Sequence, residues 1–130
     1  MLDARPIPAF SDNYIWLLTN GGKQAFVVDP GDGHPVLDAL ARRGLELGGI
    51  LVTHHHPDHV GGVDTLLSQC GGVPVYGPAQ SPATCINRPL NDGDRIEILG
   101  LGAEVIAVPG HTLDHIAYFF PETGGSAQYR

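Results

Sequence analysis

Apolar residues come in short runs along this chain, broken about every ten residues by Gly or Pro. Such punctuation predicts many short elements rather than a few long ones. Residues 14–19 (Tyr-Ile-Trp-Leu-Leu-Thr) and 24–29 (Gln-Ala-Phe-Val-Val-Asp) are β-prone runs flanking the turn Asn20-Gly21-Gly22, so they predict a hairpin. Residues 35–43 carry Val36, Leu37, Leu40 and Ala41 at helical spacing, with Gly44 as the stop. A strand is predicted over 49–53, and a second helix over 58–69 with Val60, Val63, Leu66 and Leu67 on one side. Further strands are predicted over 73–76, 95–99, 104–108 and 116–120. The Gly-Gly-Ser turn at 124–126, followed by Gln128-Tyr129, reads as a strand that is cut off as it begins. Strands and helices alternate early and strands dominate late, with no repeat or long linker.

Composition narrows the class of molecule. The chain has 130 residues, 42% of them apolar, enough for one domain with a real core. Its formal charge of −7 argues against a nucleic-acid partner, which would favour a basic stripe. No apolar run approaches the roughly 20 residues of a membrane span. The N-terminus lacks a secretory apolar core, so a cytoplasmic protein is expected. Cys70 and Cys85 fit no zinc or redox spacing and read as free thiols in a reducing compartment.

The candidate chemistry lies in the histidines. There are seven, and all but His34 fall in two short segments. The first is Thr53-His54-His55-His56-Pro57-Asp58-His59, at the exit of the strand predicted over 49–53. In extended backbone, residues two apart point the same way, so His54 and His56 can share one metal while His55 points away. Pro57 holds the residue before it extended. The turn into the following helix would bring Asp58 and His59 back towards a second metal. Imidazole and carboxylate suit zinc, iron or manganese. Gly61-Gly62 removes bulk where a helix start must lie close to the sheet.

The second segment is Pro109-Gly110-His111-Thr112-Leu113-Asp114-His115, in which His111 leaves a strand end and is the natural third ligand beside His54 and His56. The bland alternative, an exposed histidine-rich loop, fits poorly with a strand before the first segment and an amphipathic helix after it. His115 and Asp114 read as structural or supporting groups and His34 as exposed. Asp29 reads as a turn former, with a lesser prospect of orienting a ligand from behind.

These residues carry a resemblance. His54-x-His56-x-Asp58-His59 with the later Gly110-His111 resembles the metallo-β-lactamase superfamily. Residues 7–17 (Ile-Pro-Ala-Phe-Ser-Asp-Asn-Tyr-Ile-Trp-Leu), 28–32 (Val-Asp-Pro-Gly-Asp) and 109–116 look like the glyoxalase II family within it. The implied fold class is α/β, a four-layer αββα sandwich with metals at one edge of two packed sheets. The implied site holds two divalent metals, zinc first and iron or manganese as alternatives, on His54, His56, Asp58, His59 and His111. Asp58 is also the candidate catalytic residue. The implied partner is a small glutathione thioester, with no nucleic acid or membrane, and a monomer is expected for the full-length enzyme.

Glyoxalase II chains are longer. They add a bridging Asp, a further His ligand and a helical region that binds glutathione. Residues 1–130 therefore read as a domain of this type incomplete at its C-terminus, the N-terminal half of such an enzyme. The implied reaction is hydrolysis of S-D-lactoylglutathione to D-lactate and glutathione. A glutathione-persulfide dioxygenase of the same fold, a β-lactamase or lactonase, and a non-catalytic metal-binding fragment are the alternatives. No Gly-x-Ser-x-Gly elbow offers a serine nucleophile.

Overall fold

A computed structural model of the chain describes residues 3–9, 13–53, 62–81, 85–108, 116–120 and 127–129. The predicted hairpin is present as β2 (Asn13–Thr19) and β3 (Gln24–Val28), paired antiparallel from Trp16 opposite Val28 to Thr19 opposite Ala25. A strand not anticipated from the sequence, β1 (Asp3–Ala9), flanks β2. Pro6 and Pro8 argue against a strand there, but β1 forms the sheet edge, where a missing N–H costs no ladder bond.

Helix α1 (Gly33–Arg43) follows. Asp32 caps its start by accepting the His34 N–H at 3.0 Å, and Gly44 ends it in a left-handed conformation at φ 63°. Strand β4 (Glu46–Leu51) pairs parallel with β3, beginning three residues before the expected position. Helix α2 (Val63–Cys70) covers the later part of the helix predicted over 58–69, and residues 58–61 lie outside the described residues. Strands β5 (Val75–Pro78) and β6 (Arg88–Leu90) extend the first sheet in parallel, giving the order β1-β2-β3-β4-β5-β6.

The second sheet is antiparallel: β7 (Arg95–Ile98), β8 (Leu101–Ala107), β9 (Ile116–Phe120) and β10 (Ala127–Tyr129), in the order β10-β9-β8-β7. Strand β10 falls where the sequence suggested a strand beginning after the 124–126 turn.

Period-two alternation in β2, β3 and β4 sends successive side chains to opposite faces. Ile15, Leu17, Ala25, Val27, Ile50 and Val52 pack against Val36 and Leu40 of α1 and Leu66 of α2. Leu18, Phe26, Val28 and Leu51 face the second sheet, where they meet Val105, Tyr118 and Phe120. Both faces of the first sheet are thus covered, which accounts for its continuous apolar runs. Among the described residues the layers run helix, sheet, sheet, the α/β arrangement expected. No described helix is long and apolar enough to cross a membrane.

Candidate metal centre

Strands β3 and β4 run parallel and end side by side, so the loops that follow them start from neighbouring points. The chain turns at Asp29, whose φ of 54° is left-handed. Asp and Asn tolerate that region better than most residues. The Asp29 N–H donates to the Leu51 carbonyl at 2.8 Å, and its carbonyl accepts from Gly31 at 2.9 Å. This places the buried Asp29 carboxylate beside Thr53, just past the end of β4. One carboxylate oxygen accepts the Thr53 N–H at 2.7 Å, and the other accepts the Thr53 hydroxyl at 2.6 Å. A carboxylate gripping both groups of one residue fixes the chain at the position before His54. Charge-assisted bonds of this kind are about twice as strong as neutral ones.

The second sheet reaches the same spot. The Ile116 N–H, at the start of β9, donates to the Thr53 carbonyl at 2.9 Å. Two residues on, the Tyr118 hydroxyl donates to the Val52 carbonyl at 2.8 Å, and the ring is fully buried. The exit of β4 towards His54 is therefore joined to the entry of β9, which follows His115. Strand β8, which leads towards His111, is held near its end by the Asp92 carboxylate, which accepts the Ala107 N–H at 2.8 Å.

Past the first histidine segment, the Gly62 N–H donates to the Pro30 carbonyl at 2.8 Å. A Cβ on Gly62 would sit 2.6 Å from both the Pro30 oxygen and the Asp32 carbonyl carbon, a clash with backbone. The close approach expected for Gly61-Gly62 is thus real at Gly62. Its neighbour is the loop between β3 and α1 rather than the sheet face.

The candidate ligands His54, His56, Asp58, His59 and His111 lie outside the described residues, as do His55, Asp114 and His115. The structure instead fixes the residues on either side of them: Thr53 and Gly62 around the first segment, Val108 and Ile116 around the second. Asp29 is a turn former, as expected, and it also anchors Thr53. His34 is exposed and Cys70 and Cys85 are free thiols, as expected. Among the described residues no group of three or more His, Cys, Asp or Glu side chains could hold a metal. Thr53 and Tyr118 were not singled out from the sequence. Thr53 stands directly before the histidines and could have been noticed; Tyr118 carries no signal beyond an aromatic in a buried strand.

Two-sheet topology and convergent loop anchors agree with the sequence relationships. The metallo-beta-lactamase superfamily model matches residues 9–125. The chain belongs to this superfamily. Hydroxyacylglutathione hydrolase of Pseudoalteromonas translucida is 53% identical over 119 residues, covering 91% of this chain and 46% of that protein. The chain spans about half the length of the curated relatives it matches. Among solved structures, ETHE1 from Myxococcus xanthus superposes with a TM-score of 0.75 at 29% identity, over 91% of this chain and 53% of that one. The BLEG-1 B3 metallo-beta-lactamase shares the fold, with a TM-score of 0.79 at 23% identity, over 92% of this chain and 67% of that one.

Superfamily membership implies divalent-metal binding. The candidate donor set suits it: four imidazoles and one carboxylate, in two segments flanked by Thr53 and Ile116, which are hydrogen-bonded to each other.

Proposed function

We propose that this chain carries metal ligands of a hydroxyacylglutathione hydrolase, which cleaves S-D-lactoylglutathione to D-lactate and glutathione. The observation that supports it most directly is the Thr53–Ile116 bond, because it joins the residue before the first histidine segment to the residue after the second. The 53% identity to a hydroxyacylglutathione hydrolase supplies the substrate class. In this reading His54, His56 and His111 hold one ion, and Asp58 and His59 belong to a second. Two zinc ions are the favoured content, with iron or manganese as alternatives. When bound, such ions supply Lewis acidity, lowering the pKa of water and polarising a carbonyl. The protein's part is to hold ligands in place, through Asp29 on Thr53 and Gly62 on Pro30. A thiolate leaving group, with a thiol pKa of about 8.5, needs little help from a separate general acid.

The test is turnover of S-D-lactoylglutathione by metal-reconstituted full-length protein carrying this sequence. His54→Ala and His111→Ala should each lower kcat/KM by about a hundredfold or more, since even a ligand's supporting partner is typically worth 10–100-fold. Hydrolysis untouched by His54→Ala would refute the reading. Oxygen consumption with glutathione persulfide, in place of thioester hydrolysis, would replace it with the dioxygenase.

A further inference from the structure

Tyr118 stands apart from the rest of its core. It is fully buried between the two sheets, in a cluster otherwise built from apolar side chains such as Phe26, Leu51, Val105 and Phe120. Burial of a hydroxyl in such a place is unfavourable unless it finds a partner. Its partner is the Val52 carbonyl, at the point where β4 leaves the first sheet and two residues before His54. On the same strand, the Ile116 N–H takes the next carbonyl, that of Thr53. Strand β9 thus grips two consecutive peptides directly before the first histidine segment, and β9 itself begins directly after the second. Val52 is tied on its other side to β5, through its N–H to the Tyr76 carbonyl at 2.8 Å. Asp29 holds Thr53 from the first sheet.

We propose that Tyr118 is a positioning residue for the metal centre: its hydroxyl, with the Ile116 N–H, latches the chain just before His54 to the start of β9, just after His115, across the two sheets. The inference rests on the assignment of His54, His56 and His111 to one ion. A metal that draws ligands from both sheets needs the separation of those sheets fixed locally. Apolar packing alone is non-directional and sets the spacing less sharply than a hydrogen bond to a defined carbonyl. Burial, and then the negative charge of Asp29, push the Tyr118 phenol well above its usual range, so it remains a proton donor at any pH where the protein works.

The experiment is a titration of Tyr118→Phe with Co(II), followed by its visible absorption and by competition with zinc, in the full chain and well below thermal unfolding. Loss of the hydroxyl should weaken metal affinity by about 10–100-fold, the range for groups that orient ligands. It should also alter the cobalt spectrum of the protein that does load. The control is Ile98→Val, a truncation in the same inter-sheet core at the end of β7, opposite Leu101 where β8 begins. Distant sites act independently, so its affinity should stay within about twofold of wild type. Unchanged affinity and spectrum in Tyr118→Phe overturn the inference. So does an equal loss in Ile98→Val, which would make the effect one of general stability.

A second measurement needs no variant. Coupling between latch and metal is reciprocal, so metal loading must also stabilise the latch. Amide exchange at Ile116 should slow on zinc binding by more than exchange at Val105, which is buried in the adjacent strand and whose N–H donates to the Asp94 carbonyl. Equal slowing at both overturns the inference. Wild-type protein that binds no metal in a His54-dependent way overturns the metal assignment itself, and this inference with it. That failure is distinct, because it is seen before any change at Tyr118.

Discussion

The first sheet has two faces, and they are built differently. Against Val36 and Leu40 of α1 and Leu66 of α2 it packs Ile15, Leu17, Val27, Ile50 and Val52, an apolar layer. Against the second sheet it packs Leu18, Phe26, Val28 and Leu51 on a layer that includes the Tyr118 phenol. The polar contacts at the exit of β4, from Asp29, Ile116 and Tyr118, gather at the edge of that second face. The helix side is packed from apolar side chains, with a backbone bond, from the Gly62 N–H to the Pro30 carbonyl, at the start of α2. The inter-sheet side adds directed bonds where the candidate ligands begin. If this division is real, damage to the two faces should be separable: one should cost stability only, the other stability and metal affinity together.

The largest effect is expected from the helix side. Leu66 is fully buried on α2 and meets the first sheet. Leu66→Ala should destabilise the protein by about 2–5 kcal/mol, as buried leucine truncations do. Urea denaturation measures this loss. Metal affinity in the fraction that remains folded should be unchanged. A large fall in affinity would break the comparison, because it would show that the helix-side layer also sets the site.

A smaller effect is expected at the root of the site. Asp29→Asn keeps a side chain that tolerates the left-handed φ of 54°, so the turn itself should survive. The amide can accept one of the two bonds to Thr53 but presents a donor where the other oxygen stood. Leaving one buried group mismatched costs about 1–3 kcal/mol. Unlike Leu66→Ala, this variant should also weaken metal binding, which isothermal titration with zinc can measure. A stability loss with wild-type affinity would place Asp29 with the helix-side layer in effect.

Much of this frame is legible in the sequence alone. The β-prone runs 14–19 and 24–29 around the Asn20-Gly21-Gly22 turn specify a hairpin, and the Val36, Leu37, Leu40 spacing with Gly44 specifies α1, because each pattern reports local geometry that packing reinforces. What was hidden depends on contacts distant in sequence. Strand β1 exists because an edge tolerates Pro6 and Pro8, and no local pattern says which strand is the edge. Helix α2 begins at Val63, directly after Gly62, whose N–H reaches the Pro30 carbonyl 32 residues back in the chain, and residues 58–61 of the helix predicted over 58–69 lie outside the described residues. At the site, ligand types and their order could be read from residues 54–59 and 111. The links from Asp29 to Thr53 and from Tyr118 to Val52 could not, since they span 24 and 66 residues.

The smallest expected effect separates the two faces by pH. Each side has weak acids that the fold holds in their neutral form. Burial pushes the Cys70 and Cys85 thiols up from 9.0, and both pack against the helix-side layer. Burial and then the Asp29 charge push the Tyr118 phenol up from 10.0, on the inter-sheet side. A group whose pKa is raised on folding stabilises fully below its unfolded pKa and loses that contribution as pH rises towards its folded pKa. Stability should therefore begin to fall near pH 9 through the thiols, gently because both are only partly buried, and more steeply above pH 10 through the phenol. One proton retained by the folded chain alone gives a slope of at most about 1.4 kcal/mol per pH unit. Urea midpoints measured from pH 8 to 11 can resolve the two limbs. Tyr118→Phe should flatten the limb above pH 10 and leave the earlier one in place. Replacing both cysteines with alanine should do the reverse. If Tyr118→Phe leaves the steep limb intact, the phenol is not held protonated by the inter-sheet core, and the contrast between the two faces loses its electrostatic component.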